Sequence, residues 1–233
     1  MRSQIFNRKS HTQSNTKSFF PKISLPWGIT IGYLTIMLLL PISALLLRVS
    51  LVGASEFWEI ATSPIALSAY DVTFVTALFT ALINGVFGTL VAWILVRYDF
   101  PFKRLIDSII DLPFALPTAV AGLTLANVYA ENGWIGSLLA PLGIKIAFTR
   151  LGVFVAMLFI SLPFIVRALQ PVLQEMEHVI EETAWSLGAS QFQTFWLVIL
   201  PPLFPALLTG VALGFSRAVG EYGSIVIVSS NIA

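Results

Sequence analysis

Cysteine is absent from the 233 residues, which excludes a disulfide framework, a thiolate metal site and a cysteine nucleophile. Charge is almost as scarce. Only 11% of residues are Asp, Glu, Lys or Arg, against roughly 25% in ordinary soluble domains, too few to cover a soluble protein of this size. Histidine occurs only as His11 and His178, so no His-rich metal constellation exists. The Lys-Ser pairs, Lys9-Ser10 and Lys17-Ser18, both precede the first glycine, Gly28. A phosphate-binding loop needs glycines ahead of its Lys-Ser/Thr, so any nucleotide-driven work must be done by another chain.

What the chain does have is apolar sequence: 57% of residues are hydrophobic and mean hydropathy is +0.87. Its charges are clustered, and a helix crosses a bilayer with about 20 mostly apolar residues. Mostly apolar runs of that kind lie at Gly28–Leu47, Val72–Val96, near Ser108–Ala130 and at Leu151–Leu169, and a fifth extends from about Leu200 to Val219. The "SIVIVSSNIA" beyond them is too short to span again. The predicted fold class is all-α, a polytopic transmembrane helix bundle. A β-barrel would show short alternating segments instead.

The net charge of +1 says little, but its placement orients the chain. Residues 1–27 hold Arg2, Arg8, Lys9, Lys17 and Lys22 and no acid. A cytoplasmic tail or a basic, Ser-rich transit peptide fits that composition, and the tail is favoured. The link Arg97–Arg104 has three cations against one acid, whereas the first link carries Glu56, Glu59 and Asp71. The N-terminus, the Arg97–Arg104 link and the segment after the fourth span are therefore predicted to be cytoplasmic. The link Glu131–Arg150, with Trp134, Leu138 and Leu139, then falls outside, part of it as a short interfacial helix. Asp107 and Asp111 fall near the inner face, where headgroup-level solvation is the cheaper explanation of their charge. Pro113, Pro117 and Pro163, with Gly85, Gly88, Gly122, Gly210 and Gly214, sit in or beside spans and suggest broken, mobile helices.

One segment interrupts the oil. From Met176 to Leu187 the apolar Met176, Val179, Ile180, Ala184 and Leu187 recur at helical spacing, with Glu175, His178, Glu181, Glu182 and Trp185 opposite. That periodicity predicts a short amphipathic helix, its apolar face under the bundle and its acidic face toward a positively lined partner. Gly188 stands where a glycine stops a helix. Phe195 to Leu200 then re-enters the bilayer, and Pro201-Pro202 is expected to bar an uninterrupted helix.

The same stretch, "ETAWSLGASQFQTFWLVILP", resembles the EAA loop of permeases in bacterial-type ABC importers. Glu182, Ala184, Gly188, Leu200 and Pro201 match that pattern, while Thr183 and Val198 replace Ala and Ile conservatively. "LPFALPTAVAGLTL" (Leu112–Leu125) and "RAVGEYGSIVIVSSN" (Arg217–Asn231) resemble the sulfate/molybdate branch of type I permeases, and within it the T-type sulfate subunits. The resemblance implies a type I ABC permease fold over residues 28–233, after the tail at 1–27, with a cytoplasmic coupling helix seated in a cleft of the ATPase. Implied partners are a cytosolic ABC ATPase dimer, a second permease subunit, an extracytoplasmic sulfate-binding protein and the lipid bilayer, with no nucleic acid. No cofactor, metal or catalytic residue is implied. The membrane would be the bacterial inner membrane or, for a plastid-encoded chain, a chloroplast membrane. Family members usually continue past the Ser-Ser-Asn region into a final span, so about five full spans are expected here, with that further span truncated, missing or supplied by a partner.

Arg217 and Glu221 lie four apart and are read as sharing a helical face, either as a structural ion pair or with Arg217 lending positive potential to an oxyanion path. Two rivals to a sulfate importer are a molybdate or tungstate permease of the same type, and a secondary anion transporter using Asp107, Asp111, Glu131 or Glu221 as a relay. A membrane enzyme ranks behind both.

Overall fold

The computed structural model describes residues 25–229. The expected basic tail thus lies outside the described residues except for its last three, which open the first helix, and so do Ser230 and Asn231. The chain divides into two compact units between Thr62 and Ser63.

The first unit contributes α1 (Leu25–Leu51) and α2 (Ala54–Ala61), joined through Gly53. α1 is apolar on every side and holds Pro41 in its interior. A helix hydrophobic all round belongs in a membrane or a large core.

The second unit opens with α3 (Pro64–Arg97), where the Ser63 hydroxyl accepts from the Ala66 N–H at 3.3 Å and Pro64 sits where its missing N–H costs nothing. Then come α4 (Lys103–Ile110), α5 (Leu112–Ala115) and α6 (Thr118–Tyr129). A short α7 (Gly136–Leu139) leads through one 3-10 turn to α8 (Arg150–Glu175). α9 (His178–Ser186), α10 (Gln191–Thr194), α11 (Leu200–Val219) and α12 (Gly223–Ser229) follow.

The expected third span is not one helix. Pro113 and Pro117 remove backbone donors, and Pro117 also pushes Leu116 into an extended conformation, so the stretch breaks at Asp111 and again at Leu116–Pro117. It nevertheless serves as a crossing. Asn84 of α3 donates to Leu158 O and Ser161 Oγ of α8, both at 2.9 Å, and Arg97 donates to Met176 O at 3.1 Å. Rising numbers on α3 meet rising numbers on α8, so the two run parallel and the chain between them must return. The broken stretch makes that return: Asp111 meets Arg167, Phe114 packs edge-on against Phe164, and Ala126 shares a core with Ala156. α11 runs antiparallel to α8, with Gly210 near Ala168 and Gly214 near Ser161.

Lipid offers no hydrophobic drive for helix association, so close packing of small residues must supply it. Ile165 of α8 sits in a socket of glycines. A Cβ on Gly88 would lie 2.7 Å from Ile165 Cγ2, and one on Gly214 would lie 2.6 Å from Ile165 Cδ1. α6 and α12 approach as closely, a Cβ on Gly122 falling 2.6 Å from Ser224 Cα.

A second expectation is corrected at Pro201-Pro202. The backbone does not stop there: α10 passes through a π-helical turn, Phe195–Ile199, directly into α11, and Gln191–Val219 forms one 29-residue apolar rod. Two successive prolines would clash with carbonyls one turn back. Widening that turn to i→i+5 bonding moves those carbonyls aside. Together with Leu25–Leu51, Pro64–Arg97 and Arg150–Glu175, this rod gives four described stretches long and apolar enough to cross a membrane.

Candidate functional site

The end of the bundle that carries Arg97 and Met176 also carries α9. The helix begins after Glu177 and stops at a Schellman turn: the Gly188 N–H donates to Trp185 O at 2.9 Å and the Ala189 N–H to Ala184 O at 3.0 Å. Gly188 has φ +89°, a left-handed conformation that glycine adopts freely. A capping box starts α10 at once, because Ser190 Oγ accepts from the Gln193 N–H at 3.3 Å and Gln193 Oε1 from the Ser190 N–H at 2.9 Å. The Ser-x-x-Gln spacing is itself a sequence signal for such a start. It fixes the angle between α9 and the rod behind it.

The orientation of α9 overturns part of the amphipathic expectation: Ala184 is buried and His178, Glu182 and Trp185 are exposed as expected, but Glu181 is buried and three apolar residues are not. Its buried residues are Glu181 and Ala184. Val179, Ile180 and Leu187, expected under the bundle, are 59%, 43% and 84% exposed, and Trp185 and Glu182 also face outward. The cause is a single cation. Arg97, the last residue of α3, places Nε 2.8 Å from Glu181 Oε1 in a contact buried on both sides, with side-chain exposures of 5% and 8%. The approach is a charge contact without hydrogen-bond alignment. Arg97 Nη2 donates instead to Met176 O, and its guanidinium stacks 5.4 Å from the Trp93 ring. Trp93 in turn meets Phe195 of the π-helical turn edge-on. A cleft of about 320 Å³ lies here, lined by Trp93, Tyr98, His178, Trp185 and Gln191 among others.

The remaining predicted residues are distributed along this segment and its exit. Thr183 is exposed and bonds back to Val179 O at 2.6 Å. Val198 and Leu200 are half-buried on either side of buried Ile199, and Pro201 is exposed. They do not converge with Glu182 on one point. Arg217 and Glu221 do meet, Nη1 to Oε2 at 2.6 Å, far from α9 at the other end of α11. Glu221 Oε1 also accepts from the Ser224 N–H and Oγ at 2.8 and 2.9 Å, so this carboxylate caps α12.

Sequence reasoning missed Arg167, a lone cation in an apolar run and for that reason a signal. It binds both Asp111 oxygens, at 2.7 and 2.6 Å, and Asp107 Oδ1 at 2.7 Å, with Gln170 completing the group. Asp107 and Asp111 are thus ion-paired while their side chains stay 41% and 47% exposed, so pairing adds to solvation and does not replace it. Glu131, the third relay candidate, pairs with Lys145 in the exposed link between α6 and α8 at 2.6 Å. Among the described residues no three His, Asp or Glu side chains gather in a metal-binding group.

A bundle of long apolar helices that presents a sharply capped helix at one end fits a permease. Residues 84–231 match the family described as binding-protein-dependent transport system inner membrane component, and the chain belongs to that family. It is similar to the sulfate transport system permease protein CysT of Synechocystis sp., 64% identical over 220 residues, which span 94% of this chain and 77% of that relative. The probable sulfate transport system permease protein cysT of Chlorokybus atmophyticus is 59% identical over 230 residues, or 99% and 80% of the two chains. A CysT of Salmonella typhimurium is 47% identical over 219 residues, or 94% and 79%. The fold is thus a type I ABC permease of the CysT kind. Such chains are transport subunits and not enzymes, working with a separate ATPase and a binding protein. This is an integral membrane protein of the bacterial inner membrane or, where plastid-encoded, of the chloroplast.

Proposed function

We propose that the chain is the membrane permease subunit of an ATP-driven sulfate importer, residues 28–233 forming its permease domain. The relatives' names supply the substrate. One observation of this chain supports the mechanism: α9 turns Val179, Ile180, Trp185, Leu187 and Glu182 away from its own bundle. An apolar patch with a carboxylate at its edge, capped by a rigid turn, marks a surface for a protein partner. The partner proposed is a cytosolic ABC ATPase dimer, with Glu182 meeting a cation on it and Thr183, Ala184 and Gly188 shaping the fit. Val198, Leu200 and Pro201 carry the resulting motion into α11. A second permease completes the path and an extracytoplasmic sulfate-binding protein delivers the anion. Arg217, 29% exposed beside a nearly buried Glu221, is the candidate for positive potential along that path.

The test is reconstitution in vesicles with ATPase and binding protein, measuring ATP hydrolysis and radiolabelled sulfate uptake together, with thiosulfate and molybdate as competitors. Uptake that needs ATP and is competed by thiosulfate supports the reading. Preferential competition by molybdate would move the chain to the sister branch, and ATP-independent uptake would make it a secondary transporter. A Glu182→Lys, Gly188→Asp double variant that imports normally would show that α9 is only a loop.

A further inference from the structure

α9 is fastened to the bundle in an unusual way. Of its nine residues only Glu181 and Ala184 are buried, so little apolar surface holds it. The fastening is ionic and is made by a helix remote in sequence. Arg97 grips both sides of the joint between α8 and α9: Met176 O, at the end of α8, accepts from Nη2, and Glu181, in the first turn of α9, faces Nε. A carboxylate in the first turn also suits the positive end of the helix dipole. Arg97 itself is held by Trp93 one turn earlier. Both residues belong to α3, which packs along α8 and α11 over much of its length.

A buried ion pair is a poor source of net stability compared with apolar packing, but it is directional, and losing one partner strands the other. We propose that Arg97 and Glu181 are positioning residues that make α9 and α3 move as one body. Force delivered to α9 then enters α3 through this contact, as well as α8 and α11 through the backbone. This rests on the proposed docking of an ATPase at α9. It assigns α3, which has no chain connection to α9, a direct part in the stroke.

The experiment uses the reconstituted complex and reads sulfate uptake per ATP hydrolysed. Arg97→Gln and Glu181→Gln keep the outer face of α9, so both should still co-purify with the ATPase while uptake per ATP falls roughly tenfold, a mid-range loss of inter-site coupling. The exchanged pair, Arg97→Glu with Glu181→Arg, should recover most of it. Because single variants can misfold, a second test exploits the cysteine-free chain. With Arg97→Cys and Glu181→Cys, a short bis-methanethiosulfonate, which joins each thiol through a disulfide and releases methanesulfinate, should raise uptake per ATP, and cleavage by a thiol reductant in the same sample should lower it again. Unchanged uptake per ATP in both single variants, or no response to crosslinking, would overturn the inference. Failure of the docking reading looks different: Glu182→Lys with Gly188→Asp would then also import normally, whereas failure of the latch alone leaves that variant uncoupled.

Discussion

Two Arg–Glu contacts, each with a buried carboxylate, sit at opposite ends of the same bundle. Arg217 and Glu221 are one helical turn apart and close the break between α11 and α12, where Glu221 also caps Ser224. Arg97 and Glu181 come from different helices and bridge elements that share no direct connection. Their charges are the same, but only the local pair is hydrogen-bonded, and their consequences differ. A local pair satisfies its own neighbourhood, so its loss is felt as instability. A long-range pair ties together parts that move, so its loss is felt as slack.

The largest effect should follow from Glu221→Ala. It leaves Arg217 half-buried without its counter-charge and the Ser224 N–H without an acceptor. Removing one partner of such a pair costs about 3–5 kcal/mol, which should appear as a lower unfolding midpoint of the purified chain in detergent. The double change Arg217→Gln with Glu221→Gln should recover much of that midpoint. If uptake stays low after stability has recovered, Arg217 serves the anion; if uptake recovers too, the pair is structural. A Glu221→Ala protein of normal stability but poor coupling would erase the distinction between the two pairs.

Arg97→Gln should cost less globally even though Arg97 is better hidden than Arg217. α9 has so little buried surface that it can swing out and hydrate Glu181, leaving the core of α3, α8 and α11 closed. Hydrogen exchange at residues 178–187 should accelerate by about tenfold or more, each factor of ten being ~1.4 kcal/mol of local opening, while the midpoint moves little. A midpoint drop as large as that of Glu221→Ala would mean that α9 is part of the cooperative core.

The same contrast decides what could be read from sequence. Arg217 and Glu221 were legible because four-residue spacing on a helix is a contact in itself. So were the long helices, since lipid demands unbroken apolar runs, and the stop at Gly188. The partner of Glu181 was not legible, because nothing local links it to Arg97. Periodicity distinguished two faces of α9 without saying which one meets the protein's own bundle. Val179, Ile180 and Leu187 looked like core and are exposed. The prolines marked irregular backbone correctly but not its form: Pro113 and Pro117 divide a crossing into pieces, whereas Pro201 and Pro202 are absorbed by a π-helical turn.

A smaller effect is expected at Gly188, where an added Cβ would meet no neighbouring atom within 4 Å. Only the backbone objects to a side chain there, by roughly 1–2 kcal/mol for an L-residue held left-handed. Gly188→Ala should therefore loosen α9 in the same exchange experiment by less than Arg97→Gln does, and Gly188→Asn by less again, because Asn tolerates this conformation. Equal effects of Ala and Asn would place the cost in crowding and not in φ.

The smallest effect belongs to a third pair, Glu131 and Lys145, which meet at 2.6 Å in the link between α6 and α8 with both side chains largely exposed. The Lys145 ammonium, by hydrogen bond and charge, holds the Glu131 carboxyl below its ordinary 4.5, and Glu131 holds Lys145 above its ordinary 10.5. A lowered carboxyl stabilises the fold above its unfolded value and loses that contribution as pH falls through the folded one. A raised ammonium contributes below its unfolded value and loses that as pH rises through the folded one. Any contribution is therefore flat between those limits and fades only at the extremes. Water and salt screen it throughout. Glu131→Gln should leave the unfolding midpoint at pH 7 within experimental scatter of the parent, in low and in high salt. If the two proteins differ at all, they should converge as pH drops below 4.5, where the parent's own carboxylate becomes protonated. A clear, salt-resistant loss at pH 7 would show that burial is not what separates the three pairs, and the contrast between α9 and the α11–α12 junction would then need another cause.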